Sequence, residues 1–140
     1  MIQKGQSGLE YMIIVVIAML LIAPVVLKGT SMLSGMKSEV DVMQAKEAVN
    51  EISDAVESVF AQGEPAKITI DSEFPENINQ TYVGSREIMI RLNAYGGVTD
   101  IVNRFDFNVT GNLPGENGRY DITIQAVKIS GVTWVNITGN

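Results

Sequence analysis

The chain contains neither histidine nor cysteine. Thiol nucleophiles, imidazole bases and the usual zinc ligand sets are therefore excluded, and acid–base or metal chemistry falls to carboxylates. Two clusters hold candidates: Asp71-Ser72-Glu73 with Glu76, and Glu116-Asn117-Gly118 with Asp121. Neither has the ligand spacing of a calcium loop, and solvated loop charge accounts for both. The glycines of Gly96-Gly97 and of Gly115 to Gly118 lack phosphate-loop spacing and lie between strand-like segments, so they read as turns. No metal, no cofactor and no catalytic grouping is expected.

One carboxylate stands apart. Glu10 directly precedes the apolar run Tyr11–Leu27, where a carboxylate carried to mid-bilayer costs up to roughly 2.5–3.5 kcal/mol. It needs a positive partner. Cleavage between Gly5 and Gln6 would create an amino terminus on Gln6, four residues and one helical turn before Glu10. Within one chain, or from a neighbour displaced along a fibre axis, that cation neutralises the carboxylate. The apolar run has seventeen residues, which at about 1.5 Å each make a helix of roughly 25 Å, near the lower limit for crossing a hydrocarbon core. An ordinary secretory signal has a positive start, a shorter apolar stretch and a small-residue cleavage site behind it. Here the start carries both Lys4 and Glu10, and only Gly29-Thr30-Ser31 follows as a loose match. Lys4 before the run is balanced by Lys28 and Lys37 behind it, so charge gives little guide to orientation.

Lys4-Gly5-Gln6 followed by Glu10-Tyr11 and the apolar run resembles the amino end of archaeal type IV pilins with class III signal peptides, whose processing site reads Lys-Gly before a Gln at the first mature position. The resemblance covers about the first thirty residues. It implies that residues 1–5 are a leader removed before Gln6 by a prepilin peptidase, and that Glu10, the fifth mature residue, assists subunit register. Tyr11 fits the pattern; Gly8 stands where many members carry Ser, with Ser7 one place earlier. The resemblance further implies a type IV pilin-like α+β fold and a precursor held in the cell membrane as a single-pass protein. Assembly by an ATPase and a membrane platform would then give a homopolymeric surface filament serving adhesion.

The elements that must position these residues change character along the chain. Residues 6–35 form the apolar stalk. Within it Pro24 removes a helical amide and crowds the carbonyl of Leu20, and Gly29 and Gly35 each cost about 1 kcal/mol in a helix, so a kink or soft segment is expected there. The head spans residues 36–140. Over 36–61 the helical period returns, with Val40, Met43, Ala48, Ile52, Ala55, Val56 and Val59 on one side and Lys37, Glu39, Lys46, Glu47, Glu51 and Asp54 on the other. Gly63-Glu64-Pro65 is a stop signal. From 66 to 138 the period is two: Ile68 and Ile70, then Ile88, Ile90 and Leu92, then Phe105, Phe107 and Val109, then Tyr120, Ile122, Ile124 and Ala126 alternate with residues that are polar apart from Met89. A last strand is expected over Val132 to Thr138, with Trp134 in the core or at a subunit interface. The sum is an α+β fold in which four or five antiparallel strands wrap the amphipathic half-helix.

Sixteen acidic against ten basic residues, net −6, exclude a nucleic-acid surface. Without disulfides, stability must come from packing and from neighbours. Asn-X-Thr sequons occur at Asn79, Asn108 and Asn136. Asn79 falls in a polar loop and Asn108 on a polar strand face, so both should be exposed; Asn136 shares parity with Val132 and Trp134 and turns inward unless it lies beyond the strand end. Two other readings stay open beside the filament subunit: a membrane-tethered binding module that does not polymerise, and an archaellin-like motility filament subunit.

Overall fold

The computed structural model describes residues 3–140, with side chains from Gly8 onward. The chain divides between Lys37 and Ser38 into two units, and one helix, α1 (Gln3–Gln62), contributes to both.

The first unit is helical. Through Pro24, Gly29 and Gly35, where a kink or soft segment is expected, α1 runs on as one continuous helix. A proline deletes a single amide donor, and the hydroxyls that follow turn back onto the helix. Thr30 Oγ1 donates to the Leu27 carbonyl at 3.0 Å, Ser31 Oγ to those of Leu27 and Lys28, and Ser34 Oγ to that of Ser31. Each of these three hydroxyls thus satisfies its donor within its own turn.

In the second unit α1 presents Val42, Ala45, Ala48, Val49, Ile52, Ala55, Val56 and Val59 to the core. This corrects the expected face at one end: Val40 is exposed, and Met43 is 64% exposed. At 100° per residue Met43 lies opposite Ile52 and Val56, whereas Val42, Ala45 and Val49 complete their stripe. The helix stops where expected. Gly63 takes φ 69° and its amide donates to the carbonyls of Val59 and Phe60, closing the last turn.

Seven strands follow: β1 (Lys67–Phe74), β2 (Ile78–Gly84), β3 (Glu87–Ala94), β4 (Gly97–Arg104), β5 (Val109–Asn112), β6 (Gly118–Ile129) and β7 (Val132–Gly139). They form two sheets, in the orders β1-β6-β7-β5 and β2-β3-β4. Every pairing is antiparallel except that of β5 with β7. Three two-residue hairpins carry positive φ at both turn residues: Ser85-Arg86, Tyr95-Gly96 and Ser130-Gly131. That is the type I′ geometry whose twist suits paired strands.

Three expectations are corrected here. The strand expected over Phe105 to Val109 is a connection. Phe105 is buried, and Phe107 stacks on Phe60 with ring centroids 3.7 Å apart. Their alternation records burial without a ladder. β5 begins only at Val109, and Gly111 is required in it: φ is 128°, and a Cβ there would collide with the backbone of Ile137 on β7. The strands β2 and β4 lie where no strand was expected. Finally, Val135 and Ile137 are the buried positions of β7, so Trp134 and Asn136 face outward, both half-buried.

The core is one cluster. Ile52, Val56 and Val59 of α1 lie with Ile88, Ile90 and Leu92 of β3 and Ile122, Ile124, Val135 and Ile137 of β6 and β7. Asp41, also buried, accepts a hydrogen bond from Asn77 Nδ2 at 2.9 Å, which ties α1 to the β1–β2 connection. Truncating Ile52 to alanine should cost about 2–5 kcal/mol through lost burial and a cavity, whereas Met43→Ala should stay within about 0.5 kcal/mol. Urea unfolding of the two variants beside the parent checks the corrected helix face. The architecture is α+β and type IV pilin-like, a long N-terminal apolar helix followed by antiparallel-rich sheets.

Candidate functional site

From Leu9 to Met36 the large apolar side chains of α1 are exposed on all sides of the helix. Tyr11 is 70% exposed and Glu10 and Pro24 are exposed with it. An amphipathic helix would carry a polar stripe, but none interrupts Tyr11–Leu27. This is a helix long and apolar enough to cross a membrane, with a mean hydropathy of 2.7 over its best window and none of that window buried. Burying each Ile, Val, Leu or Met fully gains about 1.5–3 kcal/mol, so the segment demands either lipid or protein around it. The hydroxyls of Thr30, Ser31 and Ser34, already bonded to carbonyls, let the enclosed surface extend beyond Leu27 at little polar cost.

Glu10 is the acidic residue among the described side chains before Lys28. Gly5 and Gln6, the expected cleavage pair, lie outside the residues whose side chains are described. The backbone of Gln6 belongs to α1 and precedes Glu10 by one turn.

The head's carboxylates are committed elsewhere. Strand alternation sends Asp71 and Glu73 outward and Ser72 inward, which breaks up the first candidate cluster. Arg119, opposite Glu73 on β6, lies 3.3 Å from Glu73 and 3.6 Å from Asp71. With Glu47 and Glu51 of α1 these residues line an acidic groove of about 230 Å³. Glu116 and Asn117 sit in the loop before β6, and Asp121 is exposed on that strand. Among the described residues no three acidic side chains gather closely enough to hold a metal ion.

The second sheet carries the tightest ion pair. The Arg91 guanidinium donates to both oxygens of Asp100, at 2.6 and 2.7 Å. This hydrogen bonding holds the Asp100 carboxyl below its ordinary range and raises Arg91. A carboxyl lowered on folding stabilises the native state above its unfolded pKa, and that contribution is lost as pH falls through the folded value. Asp100→Asn should therefore flatten the acid side of the stability profile slightly, read as a smaller drop in urea midpoint between about pH 6 and about pH 3.

The sequons separate by exposure. Asn79 is exposed, in β2 beside the register shift between Ile78 and Gln80 and not in a loop. Asn108 is half-buried, its Oδ1 accepting from Arg86 Nε at 3.3 Å. Asn136 is half-buried on the outer face, its Nδ2 donating to Thr138 Oγ1 at 3.4 Å. Comparison of the chain with family models, curated proteins and solved structures returns no match.

Proposed function

We propose that this chain is the structural subunit of an archaeal type IV-like surface pilus. The observation that carries the reading is the apolar part of α1, exposed on every side and headed by a single carboxylate. Packed against the same segment of other copies, it would exchange lipid for protein and form the filament core, with the sheets outside. One surface of a subunit then meets a different surface of the next, a heterologous association that does not close and so grows as a fibre. Cleavage between Gly5 and Gln6 by a prepilin peptidase would supply the amino terminus that pairs with Glu10. An ATPase and a membrane platform would extract the processed subunit, and adhesion follows from the resemblance alone. Asn79 is the sequon best placed to carry a glycan on the fibre exterior, being exposed without a side-chain partner of its own in the described structure.

A membrane-tethered binding module is the second reading, favoured by the same helix being long enough to cross a bilayer. A tether needs neither cleavage nor polymerisation. Intact mass and amino-terminal peptide mapping of sheared fibres from the native host separate the two. A start at Gln6 in sheared material supports the pilus subunit, and Met1 confined to the membrane fraction supports the tether. A start beyond Ser31 would overturn both.

A further inference from the structure

The two sheets have four edge strands, β1, β5, β2 and β4. Three are managed. The edges β2 and β5 are neighbours, and Thr81 Oγ1 of β2 donates to the carbonyl of Leu113, just beyond β5, at 3.0 Å. Beside β1 runs the acidic groove shared with α1. Among the described residues β4 pairs with β3 alone, in unbroken register over all eight positions. It contains no proline, no lysine and no bulge, and its two charges, Asp100 and Arg104, are paired with Arg91 and Glu87 of β3.

Its free side can be assigned. In a two-residue hairpin the pair flanking the turn is hydrogen-bonded. Ala94 and Gly97 flank Tyr95-Gly96, so alternate residues Thr99, Ile101 and Asn103 turn their amides and carbonyls toward β3. Val98, Asp100, Val102 and Arg104 turn theirs away. Those four also carry exposed side chains on the outer face, Val102 at 44%.

The outer face is arranged in rows across the strands. Tyr82, Met89 and Val102 make an apolar row; Gln80, Arg91 and Asp100 lie on one side of it and Glu87 with Arg104 on the other. Arg91 bonds Asp100, and Arg104 Nε lies 3.2 Å from Glu87. We propose that β4 pairs antiparallel with β4 of a second copy of this chain, about a two-fold axis at Val102, joining two three-stranded sheets into one of six strands. In that register Val102 meets its own copy and the apolar rows run together. Asp100 meets Arg104 of the other copy twice, so each flanking row reads Arg91, Asp100, Arg104, Glu87 with alternating sign. Shifting the register by two residues toward Asp100 sets Asp100 against Val102, and by four sets Asp100 against itself. Charge and apolar surface agree in one register only.

This contact goes beyond the filament reading and does not rest on it. A two-fold contact closes on itself, so it cannot extend a fibre; between fibres it would act as a lateral tie.

Cysteine substitutions in the full chain in detergent micelles test it, because the protein has no thiol of its own. Hydrogen-bonded antiparallel partners lie with Cα atoms about 5.5 Å apart, within disulfide reach, whereas Asp100 and its own copy would be ~14 Å apart. Oxidised V102C should give about tenfold more covalent dimer than oxidised D100C, and D100C mixed with R104C should cross-link to each other. Monomeric V102C, equal yields at both positions, or self-linking of D100C would overturn the register and the proposal. Association through the apolar helix alone predicts equal yields, so it is separated from strand pairing.

Discussion

Replacing Gly5 by leucine is expected to leave the chain in the membrane as uncut precursor and to abolish fibres. On the proposed processing, the bulk of leucine would fall on the residue whose carbonyl carbon the peptidase attacks, while the apolar run and the head are unchanged, so insertion and folding should proceed. Intact mass of the membrane fraction reads the outcome: a chain beginning at Met1 is expected, and a product beginning at Gln6 at parental level would refute the requirement for a small residue at position 5. Because the head's core begins only at Val42, its urea midpoint should match that of the parent, which separates a processing defect from a folding one.

Replacing Glu10 by valine is expected to act one step later. An apolar residue at position 10 lengthens the apolar run, so insertion should be undisturbed and cleavage should still yield Gln6. The new amino terminus would then lack its carboxylate where subunits pack. Removing one member of a buried pair costs about 3–5 kcal/mol, and each 1.4 kcal/mol is a factor of ten. Fibre yield should fall at least about tenfold, with processed subunit accumulating in the membrane. Glu10→Gln keeps the shape without the charge and should resemble valine if pairing governs docking. A normal yield of fibres from Glu10→Val would sink the pairing argument.

The parts of the fold that were legible share a physical reason. The helix stop at Gly63 and the inward faces of β1, β3 and β6 are local signals, a left-handed cap and a period of two that places isoleucine at most inward positions. β2 was hidden because Asn79, Gln80 and Thr81 give it no apolar face and its hairpin turns on Ser85-Arg86, a pair without the usual Asn-Gly or Asp-Gly signature. β4 was hidden because its valines point outward, opposite to what alternation implies for a solvated edge. Phe105 and Phe107 imitate a strand for the opposite reason, since Phe107 stacks on Phe60 and Phe105 packs against Phe107 without any ladder. The inward face of α1 is legible from Ala48 to Val59, whereas Val40 and Met43 are apolar by type but lie off the buried stripe by angle. The apolar segment and Glu10 are plain in the sequence, whereas the partner proposed for Glu10 would come from a cleavage and from neighbours that a single chain does not contain.

The strand order of the larger sheet has a consequence for biosynthesis. β7 is seventh in chain order yet stands between β6 and β5. As the polypeptide emerges from the ribosome or the translocation pore, β5 has been made but has no sheet neighbour until β7 arrives. Ile52, Val56 and Val59, made much earlier, wait for Val135 and Ile137 to close over them. The head therefore matures late and as a whole, after the apolar helix has long been available for insertion, and in the interval its apolar strands need protection from one another.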